Sequence, residues 1–180
     1  MKKISILVIT TLLVSSCSSP TPESSAGFVP GCDEIKLLET ADKSTLMPCL
    51  GGEVSINFHQ LKGPMVINVW GSWCEGCKEE MSYFVDLYKT ASFESGQIQM
   101  LGINVEESSK KDAIEYIQKS GISWPHLEDL DGVSKSIFGP GVPVTWFVNE
   151  AGENVGTKIG AYTNKDQLFE QVEKAFGIKF

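Results

Sequence analysis

Apolar and polar residues alternate along Val54-Ser55-Ile56-Asn57-Phe58, the period of a strand with one wet face. From Met65 to Trp70 the run is almost wholly apolar, which suits a central strand covered on both faces. The period then lengthens. Met81, Phe84, Val85, Leu87 and Tyr88 fall on one side of a helix predicted over 75–92. Gln97 to Val105 reads as a second central strand. A helix over 108–119 turns Ile114 and Ile117 inward and stops at Gly121. Trp124 to Leu127 is a short extended piece, and Asp131 to Phe138 a helical turn or two. Val144 to Asn149 and Asn154 to Ala161 flank the turn Ala151-Gly152-Glu153 as an antiparallel hairpin. A last helix over 164–176, capped by Thr163 with Asp166 three residues on, presents Leu168, Phe169, Val172 and Phe176 to the core. The order strand, helix, strand, helix, hairpin, helix describes an α/β domain with a mixed central sheet and helices on both faces.

Most of the 180 residues belong to that one domain, and 42% hydrophobic residues suffice for a sizeable core. The formal net charge is −8, and all 15 basic residues are lysine. Without arginine there is no bidentate phosphate clamp, and an acidic chain repels a polyanion, so nucleic acid is not an expected partner. The first 16 residues read as a targeting segment: Lys2 and Lys3, then an apolar stretch from Ile4 to Val14 that is too short to span a bilayer. Leu13-Val14-Ser15-Ser16-Cys17 resembles a bacterial lipobox, which implies acylation of Cys17 and a lipid anchor. Loss of residues 1–16 takes the charge to −10, because it removes two lysines and no acid. Ser18-Ser19-Pro20-Thr21-Pro22-Glu23-Ser24-Ser25 then reads as part of a flexible tether over 17–30, ahead of a domain over 31–180.

The chemistry-bearing motif is Trp73-Cys74-Glu75-Gly76-Cys77, at the junction of the apolar strand and the first helix. A C-x-x-C turn closes into a disulfide with little rearrangement. The helix start supplies unpaired backbone N–H groups and a positive dipole end that favour the thiolate of Cys74. Cys74 is therefore the candidate nucleophile and Cys77 the residue that resolves a mixed disulfide. Half of a zinc site is the competing reading. It would need two more ligands from Cys32, Cys49, His59 and His126, and none of these has paired metal-ligand spacing. No metal and no cofactor are expected.

Five cysteines is an odd number for an exported chain, and a lipidated Cys17 removes the remainder. Cys32 and Cys49 are left over, and an oxidising compartment favours joining them as a structural disulfide. Free thiols, or a role for one of them in resolving a substrate disulfide, are the alternatives. His126 beside Pro125 reads as structural, and His59 as a surface residue on an edge strand.

The element order, Asn68-Val69-Trp70-Gly71-Ser72-Trp73-Cys74-Glu75-Gly76-Cys77, Glu80 three residues further on, the strand–helix insert over about 103–120, and Gly141-Val142-Pro143-Val144-Thr145-Trp146-Phe147-Val148-Asn149 with Gly152 together resemble the thioredoxin fold. They resemble most closely its membrane-tethered TlpA-like and ResA-like thiol–disulfide oxidoreductases, over roughly residues 50–176. The resemblance implies a cis Val142–Pro143 peptide facing the dithiol, with Val142 exposed as a short edge for an extended substrate. It implies that Glu80 accepts the Cys77 proton, which a partly buried carboxylate on the same helix face can do. Trp73 would shield the disulfide and contact substrate, Glu75 and Gly76 would form the substrate-facing turn, and Trp70 is either a second shield or core. Gly76 and Ser82 depart from the family pattern, which often has proline at both positions. These changes touch redox poise rather than any reacting atom.

The resemblance implies reduction of disulfides in exported proteins, as in cytochrome c maturation, with a membrane thiol–disulfide carrier as electron donor, and a monomer is the expected working form. Glu75 agrees with a reductant, since an anion beside a thiolate makes it a poorer leaving group. The alternatives are an oxidant that forms disulfides and a tethered copper carrier that binds metal through the C-x-x-C.

Overall fold

A computed structural model describes residues 28–180. The targeting segment over 1–16, the acylation site Cys17 and the tether as far as residue 27 lie outside the described residues. Val29 is buried beside Leu50 in the main core, so packed residues fall inside the range expected for the tether.

The main sheet has five strands in the order β5-β4-β3-β6-β7: β3 (Met65–Trp70), β4 (Gln99–Val105), β5 (His126–Asp129), β6 (Val144–Val148) and β7 (Asn154–Ile159). β3 lies in the middle, parallel to β4 and antiparallel to β6. All six of its residues are buried, as the unbroken apolar run requires. The links β3–α1–β4 and β4–α3–β5 join parallel strands stepping in one direction. The right-handed crossover rule then sends α1 (Glu75–Tyr88) and α3 (Lys110–Ser120) to the same face. α5 (Lys165–Phe176) joins them there.

The alternation of β3 divides the interior in two. Val66 and Trp70 face a core built with Met81, Phe84 and Leu87 of α1, Ala113 and Ile117 of α3, and Leu168 and Val172 of α5. Met65, Ile67 and Val69 face the other core, which is covered by short pieces: α4 (Ser134–Phe138), the two-stranded sheet of β1 (Leu46–Pro48) and β2 (Ser55–Asn57), and the segment around Cys32. Helices do cover both faces, but the long ones share one.

Several features differ from the sequence reading, among them the cap of α5, which is Asn164, its side chain accepting from the Gln167 N–H at 3.1 Å, rather than Thr163. The helix expected over 75–92 ends at Tyr88, and a separate turn, α2 (Ala91–Glu94), follows. Thr90 is the break: its backbone is extended (φ −77°, ψ 153°) and its hydroxyl donates to the Leu87 carbonyl. The short piece at Trp124 to Leu127 is the lead into β5, a full sheet member. His59 sits in a 3-10 turn rather than on an edge strand, and its Nε2 lies 3.1 Å from Thr45 Oγ1.

His126 explains one glycine. A Cβ on Gly102, its partner across β4 and β5, would come within 1.8 Å of the imidazole Nδ1. The space instead lets Trp70 Nε1 donate to that nitrogen at 3.1 Å. Burial holds the ring neutral, its pKa pushed down to about 3.

A disulfide joins Cys32 to Cys49, 17 residues apart, both buried. It docks the N-terminal segment on β5, where Leu50 N donates to the His126 carbonyl at 2.8 Å and Cys49 bridges Leu127. Closing a loop of this length is worth about 3 kcal/mol through the unfolded chain. The double variant Cys32→Ser/Cys49→Ser is therefore expected to unfold at a temperature lower by roughly 6–12 °C. Calorimetry of the two proteins checks this, and an unchanged melting temperature would remove the structural role.

Candidate active site

β3 delivers the chain to the top of the sheet, and Gly71-Ser72-Trp73 turns it directly into α1. Cys74 is the N-cap, with an extended backbone (φ −80°, ψ 113°), and its Sγ accepts from the Cys77 N–H at 3.1 Å. The cap position is normally filled by an oxygen. Here a sulfur fills it, so a thiolate formed at Cys74 would inherit the N–H donors of the first turn and the positive end of the helix dipole. Cys74 and Cys77 are joined in a disulfide, Cα–Cα 5.3 Å. Cys74 keeps 6% of its surface open to solvent and Cys77 keeps none. Attack from outside can therefore reach only the first sulfur.

The turn is braced from the loop after β4. Glu107 accepts from the Ser72 amide, from Ser72 Oγ at 2.7 Å and from Asn104 Nδ2 at 2.8 Å. Its neighbour Glu106 has a left-handed backbone (φ 53°) and pairs with Lys135. The Trp73 indole folds over Gly71, where a Cβ would come within 2.5 Å of the ring nitrogen, and Nε1 donates to the Val105 carbonyl at 3.2 Å. Half of Trp73 stays exposed beside the disulfide. Trp70 is wholly buried and belongs to the core. Glu75 is exposed and pairs with Lys78 at 3.4 Å.

Val142–Pro143 is a cis peptide. Pro143 is buried and Val142 half-buried. The dithiol turn abuts this proline: a Cβ on Gly76 would sit 3.6 Å from Pro143 Cδ and 3.5 Å from the Ala161 methyl, both ordinary contacts. The Gly160 N–H donates to the Pro143 carbonyl at 2.9 Å, so the segment after β7 forms the third wall.

Glu80 lies on the buried side of α1, three residues beyond Cys77, and is completely buried. Its two oxygens are divided between elements: Asn68 Nδ2 of β3 donates to Oε1 at 3.2 Å, and the Tyr162 amide donates to Oε2 at 2.8 Å. Burial raises its pKa to about 7. The Tyr162 amide, the Asn68 amide and the Lys158 charge, which all favour the ionised form, oppose that rise. A carboxyl that titrates near neutrality one turn from a buried cysteine can take up or release a proton as the disulfide exchanges.

Cys74, Cys77, Glu80, Pro143, Val142, Trp73 and Gly76 thus meet at one end of the sheet, whereas Cys32 and Cys49 lie on the far side of β3 beside β5. Glu107, Lys158 and Tyr162 were not singled out from sequence. An acidic pair after a strand and a tyrosine in a loop carry no local pattern, and only the tertiary contacts reveal them. Among the described residues no cluster of three His, Cys, Asp or Glu side chains could hold a metal, and no helix is long and apolar enough to cross a membrane.

The family model AhpC/TSA matches residues 39–153. Thiol-disulfide oxidoreductase ResA from Bacillus subtilis (strain 168) is 34% identical over 111 residues, an alignment that spans 60% of this chain and 60% of that protein. The crystal structure of StoA from Bacillus subtilis superimposes with a TM-score of 0.54 at 25% identity, covering 70% of this chain and 93% of that one. A secreted Mycobacterium tuberculosis disulfide oxidoreductase homologous to E. coli DsbE gives a TM-score of 0.61 at 19% identity, over 73% and 96% of the two chains. The fold is the thioredoxin fold.

The titration of Glu80 has a measurable consequence. On folding, burial lifts this carboxyl from its ordinary 4.5 to about 7. A group raised in this way stabilises the native state fully below pH 4.5 and loses that contribution as pH climbs through 7. The difference is on the order of 3 kcal/mol. Between pH 5 and pH 8, urea unfolding of the oxidised protein should show a loss of stability that is mostly absent in Glu80→Gln. Parallel profiles for the two proteins would contradict the shift.

Proposed function

The chain belongs to the AhpC/TSA family, and from that premise we propose that it is an extracytoplasmic thiol–disulfide oxidoreductase of the ResA and StoA kind that reduces disulfides in exported proteins. The reading rests on one observation above the others: the first sulfur of the disulfide caps a helix in a residue that keeps some surface open to solvent, while Cys77 is fully buried.

Starting from the reduced dithiol, the Cys74 thiolate attacks a client disulfide. A mixed disulfide forms and one client sulfur leaves as thiolate. Cys77 then gives its proton to the Glu80 carboxylate, and its sulfur attacks Cys74 Sγ. The intramolecular disulfide closes, and the second client sulfur departs. Two electrons pass from Cys74 and Cys77 to the client, and the dithiol is restored by a membrane thiol–disulfide carrier. Val142, beside the cis proline, offers a backbone edge to an extended client segment, and the exposed face of Trp73 contacts it. Acylation at Cys17 would anchor the domain to the membrane and limit it to clients there, among them the cysteines of an apocytochrome c. The working form is a monomer.

The direction is tested by the reduction potential of the Cys74–Cys77 pair in the full chain, equilibrated against glutathione or dithiothreitol. A value near about −270 mV, in the range of thioredoxin, is the expected result for a reductant. A value near about −120 mV would overturn that direction and make the protein an oxidant of exported thiols. In the same assay Cys74→Ser is expected to abolish insulin reduction while leaving the melting temperature within a few degrees of wild type. Retained insulin reduction by Cys74→Ser would overturn the nucleophile assignment.

A further inference from the structure

One lysine holds the third wall of the dithiol site, the segment after β7. β3, β6 and β7 place Asn68, Thr145 and Lys158 side by side across the sheet, on the face that carries α1. The Lys158 ammonium then reaches the end of its own strand. Its three protons go to three successive carbonyls: Ile159 at 2.9 Å, Gly160 at 2.8 Å and Ala161 at 3.2 Å. It lies 5.5 Å from the centre of the Tyr162 ring, over its face. An ammonium has only three donors, so this one is fully engaged and held in place.

The clamped segment is the one that makes the site. Gly160 N–H holds the Pro143 carbonyl, Ala161 stands against Gly76, and Tyr162 N–H donates to Glu80. The same cation also lowers the proton affinity of Glu80, partly offsetting the effect of burial. The other groups that face Glu80 do not supply this. Asn68 of β3, which donates to Glu80, and Thr145 of β6, the sheet neighbour of Asn68, are neutral, and Tyr116 of α3 and Tyr162 are phenols. Among the described residues, Lys158 is the one cation acting on that carboxylate.

We propose that Lys158 is a positioning residue for the dithiol reaction: it clamps the Ile159–Ala161 carbonyls against the Cys74–Cys77 turn and keeps a fixed positive charge beside the Glu80 carboxylate. The proposal rests on the oxidoreductase reading, since it assigns Glu80 the Cys77 proton. A passing cation at the protein surface would not do the same work, because it would be hydrated and screened. Lys158 is half-buried, and three carbonyl dipoles hold its charge against the site.

The test compares the full chain with Lys158→Met, Lys158→Gln and Lys158→Arg. Glutamate carboxyls are labelled with 13C, and the Glu80 signal is assigned by its loss in Glu80→Gln. In wild type the Glu80 midpoint is expected near pH 7. In the uncharged variants it should move up by about one pH unit, a tenfold gain in proton affinity. At pH 7 the ionised fraction then drops from about a half to about a tenth, so resolution of a mixed disulfide should slow roughly fivefold and recover above pH 9. Lys158→Arg should return most of both effects. Two uncharged variants guard against one that does not fold.

An unmoved Glu80 midpoint in the uncharged variants would overturn the proposal, as would an arginine variant shifted as far as methionine. Those outcomes are separate from failure of the oxidoreductase reading, which would show as a wild-type protein that forms no mixed disulfide at all.

Discussion

Everything at the active end of this molecule depends on keeping one carboxyl group out of water. Glu80 occupies an inward position of α1, in line with Cys77, Met81, Phe84 and Leu87, where a side chain without charge would pack at no electrostatic cost. Burying an ionised carboxylate without partners costs several kcal/mol, and the group escapes by binding a proton or by finding donors. Here it does some of each. Asn68 and the Tyr162 amide satisfy its oxygens, and its pKa still rises to about 7. The two donors come from the central strand and from the loop after β7, so the carboxyl also ties the dithiol helix to the wall that carries the cis proline. The exception to the core rule is what marks the place as a reaction site.

The helix start and the buried acid pull in opposite directions on the two sulfurs. Cys74 sits where backbone N–H groups converge, so its thiolate is the cheaper one to form. Cys77 is fully buried, and a thiolate there costs more unless its proton has somewhere close to go. The asymmetry supports the proposed order of events without reference to sequence position. In the proposed reaction the open, dipole-stabilised sulfur meets the client, and the covered one acts afterwards with help from a neighbouring base.

Much of this was legible in the chain. The apolar run from Met65 to Trp70 identified the central strand, and the change of period at Cys74 put the cysteines at a helix start. The order of elements carried the mixed sheet. What escaped was set by contacts far apart in sequence. Thr90 ends α1 through its own hydroxyl, a choice that competes with continuing the helix and leaves no break in apolar spacing. β5 begins with His126, whose burial depends on the empty space at Gly102, so its polar first residue disguised a core strand. Glu107 and Lys158 act on loops 35 or more residues away or through backbone carbonyls, and no spacing rule points to either.

The two disulfides show why the amount of burial alone does not distinguish a reactive bond from an inert one. Cys32 and Cys49 are 1% and 0% exposed, and Cys74 and Cys77 are 6% and 0%. The difference lies in what surrounds them. Cys32 and Cys49 are enclosed by β1, β5 and the apolar side chains of the second core, with no helix start at either sulfur. A thiolate formed there would have neither a stabilising dipole nor an incoming partner. Cys74 has a helix end at its back, a half-exposed indole on one side and the cis proline on the other, while Cys77 has a carboxyl one turn on. Reactivity is thus conferred by the end of the central strand, where a short turn lets a sulfur take the place of a capping oxygen.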